Sequence, residues 1–259
     1  MMAWDWNDVL ELPDAALAGY RRIPKAVLAR QALLTRTEQR TLDKVRSLSH
    51  FATVQKSTTR ILPLVDETHD IQSVVFLHCD MAGSQAHAEV ARLVHKCFPN
   101  PTVILFGGPV AACISIALTR KSRSEQGAIV VERVESTGTF DVHDERYAPF
   151  LESLAFASLP QENLLAFLEG VASKVQLSKA IGVLGYFPTC DASDADRLSD
   201  LLDAFEAVSH SAKEIAAKRK TDKGLTLNES SKLRMEQKKL EKTAAELAER
   251  IKEICHERG

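Results

Sequence analysis

The residues best suited to chemistry stand in a row. His78, Cys79 and Asp80 close an apolar run that reads as a strand, and His87 and His95 follow on an amphipathic stretch. A histidine, a thiol and a carboxylate are zinc ligands, and they are also the parts of a nucleophilic site. The spacing argues against both uses. Successive strand residues face opposite sides, so His78 and Asp80 can share a side while Cys79 cannot. His87 and His95 are eight positions apart, two helical turns, too far for one ion. No metal site and no catalytic residue is expected.

Other chemistries fare no better. Asp80 could be the first acid of a Mg²⁺-dependent nuclease, but that pattern wants an acid–x–Lys pair on a neighbouring strand. The nearest counterpart, "VERVE" around Glu132, has no Lys two residues on. "VHDER", Val142 to Arg146, reads as a polar loop. "DMAGSQAH" and "GVLGYF" lack the glycine-rich and GK[ST] signatures that cradle phosphates, which argues against an ATPase or a dehydrogenase and leaves no cofactor expected. The five cysteines are scattered and odd in number, without metal-site spacing, as for free thiols in a reducing cytoplasm. No run of about 18 apolar residues predicts a membrane span.

The elements that must position these residues read as α+β. Residues 1–20 form a lead-in, with Trp4 and Trp6 as packing or docking anchors. Residues 21–190 form the core. "IPKAVLARQALL" suits a helix entered through Pro24. In "TRTEQRTLDKVRSL", Thr35 and Glu38 have capping-box spacing, and Leu42, Val45 and Leu48 give a narrow apolar face. Ile71 to Cys79 and "TVILF" read as buried strands joined by a helix that Ser84 would cap, a parallel crossover. "ACISIALTR" and "AIVVERVES" read as an antiparallel pair. The expected sheet is mixed and four- or five-stranded, with flanking helices. Leu164, Leu168, Val171 and Val175 stripe a later helix.

Residues 191–259 differ in kind. One long helix is followed by Thr226 and Glu229, a second capping box. Leu233, Leu240, Leu247 and Ile254 then recur every seven residues, a seam with weak companion positions. An antiparallel helical hairpin is the expected partner for that seam, and a homodimer the alternative.

Net charge is −2, unevenly spread. Tyr20 to Arg46 holds eight Lys/Arg against two acids, and Lys213 to Lys242 ten against five. Two basic stretches on an acidic body suggest a polyanion or an acidic partner surface. Arg21, Arg22, Lys25, Lys218, Arg219, Lys220, Arg234, Lys238 and Lys239 are the candidate nucleic-acid contacts.

The order of an "IPK" helix, a strand–helix–strand ending in "FPNPTVILF", an antiparallel strand pair, "YAPFLESLAF" and a charged terminal hairpin resembles a bacterial family, number four-three-nine-one among the domains of unknown function. The resemblance covers roughly Tyr20 to the end. Members are often encoded beside SNF2-like helicases and DNA methyltransferases, so it implies a non-catalytic accessory role in a restriction or phage-defence system. It implies docking on a large helicase or methyltransferase subunit, with DNA as a second partner. It brings no catalytic residues. The alternatives are a divergent metal-dependent nuclease and a homodimeric scaffold assembled through the last helix.

Overall fold

The computed structural model describes residues 5–31, 34–83, 86–98, 100–108, 110–125, 127–222, 224 and 226–257. Trp4 and the expected cap Ser84 lie outside the described residues. The chain divides into two units, Met1–Ser178 and Lys179–Gly259.

The first unit runs α1 (Asn7–Leu10), β1 (Leu17–Arg22), α2 (Lys25–Gln31), α3 (Arg36–Asp43), β2 (Val45–Gln55) and α4 (Lys56–Thr59). A small hairpin follows, β3 (Leu64–Val65) and β4 (Asp70–Ile71), then β5 (Ser73–Met81), α5 (His87–Cys97), β6 (Thr102–Phe106), β7 (Cys113–Lys121), β8 (Ile129–Ser136), α6 (Ala148–Glu152) and α7 (Leu164–Ser178). The main sheet has the order β1-β2-β5-β6-β7-β8, one strand wider than expected. Only β5 and β6 pair in parallel, through the predicted α5 crossover. The other pairings are antiparallel.

Two strands of the main sheet lie where none was expected. The lead-in is part of this unit: Trp6, Leu10, Leu12 and Ala16 are buried, and β1 forms the sheet edge. Trp6 is thus spent on the core, not offered to a partner. The helix read through Leu48 stops at Asp43. Val45 and Leu48 are buried in β2, which pairs along its length with β5, from Val45↔Met81 to Gln55↔Ser73. Their three-residue spacing fits a helix, but Val45, Thr53 and Val54 are β-branched, and the long-range ladder decides.

Both faces of the sheet are covered. On one, Leu28, Leu42, Val90, Val94 and Cys97 from α2, α3 and α5 meet Leu48, Leu77, Cys79, Ile104 and Phe106. On the other, Phe167 of α7 meets Phe76 edge-on at 6.4 Å between ring centres. The β6–β7 turn needs glycine: Gly107 has φ +71°, and a Cβ there would meet the Ala111 carbonyl oxygen.

The capping box forms as spaced. Thr35 Oγ1 accepts from the Glu38 N–H, and the Glu38 carboxylate accepts from the Thr35 N–H at 2.8 Å. Lys96 of α5 donates to the same carboxylate at 2.6 Å. The Lys96 bond first, then the Thr35 bonds, bring the Glu38 carboxyl from 4.5 to about 2. A depressed carboxyl adds stability that is complete above its ordinary value of 4.5 and lost as pH falls from there through 2. A ¹³C NMR titration should therefore find Glu38 titrating near 2. Lys96→Met should move it back toward 4.5 by more than Thr35→Ala does. Equal or reversed shifts would contradict the ranking of causes.

The second unit contains α8 (Ile181–Leu184), β9 (Pro188–Cys190), α9 (Ala195–Thr221), α10 (Leu227–Ile254) and β10 (Cys255–Glu257). α9 and α10 pack as the expected antiparallel hairpin. The seam is used inside it: Leu247, Ile251 and Ile254 are buried, and Leu233 and Leu240 half-buried. The second capping box, Thr226 with Glu229, starts α10.

Candidate polyanion-binding groove

The His78, Cys79 and Asp80 side chains have separate surroundings. Cys79 is fully buried, and burial first, with Asp80 beside it, pushes its thiol up to about 12. A thiol held protonated is no nucleophile. Asp80 accepts from Ser47 Oγ at 2.7 Å, and the His78 ring lies edge-on to Tyr20 at 5.3 Å. His87 and His95 project elsewhere. His87 Nδ1 lies 3.2 Å from Thr139 Oγ1, and His95 Nε2 lies 3.0 Å from Ser115 Oγ. Among the described residues, no three His, Cys, Asp or Glu side chains converge to hold a metal.

A different set of residues does converge. It starts at a bulge in β1, where Gly19 (φ +63°) and Tyr20 (φ +55°) are both left-handed and the register to β2 shifts. A left-handed tyrosine is strained, by an amount on the order of 1–3 kcal/mol. Its contacts offset this: the hydroxyl donates to Asp5 at 2.6 Å, and the ring lies edge-on to Phe51 at 5.2 Å. Beyond the bulge the exposed Arg21 and Arg22 rejoin the ladder opposite His50 and Ser49. The Ile23 N–H donates to Leu48 O at 2.8 Å. Pro24 then ends the strand, because it has no N–H to donate, and α2 begins at Lys25. Arg46, exposed on neighbouring β2, completes the set.

Two adjoining cavities share Arg22, Ile23 and Pro24. One, of about 480 Å³, adds Lys25, Arg46, Ser47 and Leu48. The other, of about 360 Å³, adds Arg21 and a floor of Val75, Leu77 and Phe98, with His50, Thr53 and Asn100 as polar points. Arg21, Arg22, Lys25 and Arg46 make no ion pair among the described residues. Some cations elsewhere on this unit are paired, among them Lys44 with Glu89 at 2.7 Å and Lys96 with Glu38 at 2.6 Å. The groove is thus a local excess of positive charge over an apolar floor. Single exposed ion pairs stabilise by only about 0–1 kcal/mol, so cations left without acids cost the fold little. They remain available to an anion.

Sequence spacing singled out Arg21, Arg22 and Lys25 but not Arg46, which reaches them only through the β1–β2 pairing. On the second unit, Lys218, Lys220, Arg234, Lys238 and Lys239 are exposed, as a contact surface requires. Arg219 differs from these. It is half-buried within the hairpin, and its Nη1 donates to Gln237 Oε1 of α10 at 2.7 Å.

These features define an α/β sheet protein with helices on both faces, a cationic groove at one sheet edge and a separate helical-hairpin unit. Among the described residues no helix is long and apolar enough to cross a membrane. The chain belongs to the family described as Domain of unknown function (DUF4391), which it matches over residues 10–243. No curated protein and no solved structure matches it.

Proposed function

We propose that this protein is a non-catalytic accessory factor that holds a nucleic-acid backbone in the groove of Arg21, Arg22, Lys25 and Arg46. A larger partner, a helicase or a DNA methyltransferase of a restriction or phage-defence system, carries out the chemistry. The observation that supports this reading is the groove: Arg21 and Arg22 line one of its two adjoining cavities, Arg22, Lys25 and Arg46 line the other, and none of the four makes an ion pair among the described residues. Phosphate contacts fix position without reading sequence, which suits a factor that serves a separate active site. The apolar floor beside Arg21 offers room for a sugar or a base. The exposed cations of the hairpin give the second unit a basic surface of its own, and Leu227 and Met235, 89% and 74% exposed, are apolar points there for a partner.

Anisotropy with a labelled DNA duplex tests the nucleic-acid part. Four phosphate contacts give a log K against log salt slope of about −3.6, so affinity should fall roughly 100-fold between 50 and 200 mM salt. The combined change Arg21→Ala, Arg22→Ala, Lys25→Ala and Arg46→Ala should weaken binding and flatten the slope by about one unit per contact removed. Binding indifferent to salt, or unchanged in the variant, would exclude the groove. Plasmid cleavage with Mg²⁺ that disappears in Asp80→Ala would replace the accessory reading with a nuclease one.

A further inference from the structure

Two thiols sixty-five positions apart in the sequence stand opposite each other in the second unit. β9 and β10 form an antiparallel ribbon in which Cys190 pairs with Cys255, Thr189 with His256 and Pro188 with Glu257. Thr189 Oγ1 also donates to His256 O at 3.3 Å, which fastens the ribbon from the side. Directly opposed residues in such a ribbon have Cα atoms roughly 4.5–5.5 Å apart. A disulfide spans about 4.4–6.8 Å between Cα atoms, so no backbone movement is needed to join them. Both cysteines are free thiols, Cys190 half-buried and Cys255 buried.

The ribbon's position gives the pair a consequence. Cys190 lies on the segment that leads into α9, and Cys255 is the residue at which α10 ends. A bond between them would tie the entry and the exit of the helical hairpin together.

We propose that Cys190 and Cys255 are a modification site for hydroperoxides, closing to an intramolecular disulfide that locks the base of the α9–α10 hairpin. Cys190, the more accessible thiol, reacts first. As the thiolate it attacks one peroxide oxygen, the O–O bond breaks, and the other oxygen leaves as water after taking a proton. Cys190 is then a sulfenic acid. The Cys255 sulfur attacks the Cys190 sulfur; the S–S bond forms, the S–O bond breaks, and the hydroxyl leaves as water with the Cys255 proton. Two thiols are oxidised by two electrons in total, and one hydrogen peroxide becomes two waters. Burial, then Asp194 and Asp191, hold the Cys190 thiol above its ordinary range. The thiolate fraction at neutral pH is therefore small, and the pair answers sustained oxidant rather than traces of it.

The experiment uses the full chain. It is treated with hydrogen peroxide, alkylated under denaturing conditions, digested and read by mass spectrometry. The expected product is a linked pair of peptides holding Cys190 and Cys255, two hydrogens lighter than the reduced pair and restored by dithiothreitol. It should form without dimer on a non-reducing gel. The closed loop should raise the unfolding midpoint of the hairpin unit by on the order of 5–10 °C. Cys190→Ser and Cys255→Ser should each abolish both changes while keeping the midpoint of the reduced protein. The wild-type peptide map stands alone if either variant fails to fold. Two thiols that remain alkylatable would overturn the proposal, as would Cys190 oxidised to sulfinic acid without the cross-link, or a disulfide between chains.

Discussion

The first unit should lose stability as pH falls from about 6.5 toward 3, and His95 should be the main cause. His95 is 1% exposed on the inner face of α5. Its Nε2 meets Ser115 Oγ at 3.0 Å, while its Nδ1 is buried with no hydrogen-bond partner among the described residues. Arg92 and Lys96, on the same helix, line the same cavity of about 480 Å³ against β7 and β8, and Lys96 is paired with Glu38. Burial brings the His95 pKa down from 6.5 to about 3. The unfolded chain therefore binds a proton at His95 throughout that window and the folded one does not, so stability rises with pH across it and falls as pH is lowered. One pKa unit corresponds to about 1.4 kcal/mol, which makes the loss roughly 3 kcal/mol by pH 4. His87, also held down by burial, adds in the same direction. Urea unfolding from pH 7 to pH 4, followed by the fluorescence of the buried Trp6, should show the decline. His95→Asn keeps a polar partner for Ser115 without the titration, and its profile should be distinctly flatter. Parallel profiles for the two proteins would rule His95 out as the cause.

Phe167→Ala should cost the first unit about 3–5 kcal/mol, the range for emptying a phenylalanine site in a core. Phe167 is fully buried on α7. Its ring meets Phe76 of β5 at 6.4 Å and Phe156 at 5.9 Å between centres, so it joins a helix, the middle of the sheet and the loop after α6. Removing the ring leaves a cavity in a region where Phe76, Phe150 and Leu168 are also fully buried and have little freedom to collapse. A loss of this size is a large part of the 5–15 kcal/mol by which domains are usually stable. Val110→Thr is the matched control. Val110 is 73% exposed, and its substitution should change the urea midpoint by no more than about 0.5 kcal/mol equivalent. A Phe167→Ala protein with a wild-type midpoint would show that α7 does not hold this face of the sheet.

Local chemistry made a good part of this architecture legible. Both capping boxes, Thr35 with Glu38 and Thr226 with Glu229, are pairs three residues apart whose bonds close within one helical turn. The α5 crossover and the α7 stripe of Leu164, Leu168, Val171 and Val175 follow from helical periodicity, and all four stripe residues are buried. The heptad seam of α10 also lies inward, as a lone apolar stripe must. The separation of Cys79 from His78 and Asp80 follows from strand alternation alone.

Features set within a few residues were legible in the chain itself: caps, stripes, the seam and the opposite facing of Cys79 and its neighbours His78 and Asp80. Tertiary structure decided the rest. Val45 and Leu48, three apart, fit a helical pattern, and only pairing with β5, some thirty residues away and with a register shift between Val45 and Ser47, selects the strand. Arg46 reaches Arg21, Arg22 and Lys25 through the β1–β2 ladder, and Cys190 meets Cys255 through the β9–β10 ribbon. The physical reason is the same in each case: a strand's partner is chosen by backbone hydrogen bonds and burial across a long loop, and neither leaves a mark in the spacing of neighbouring residues.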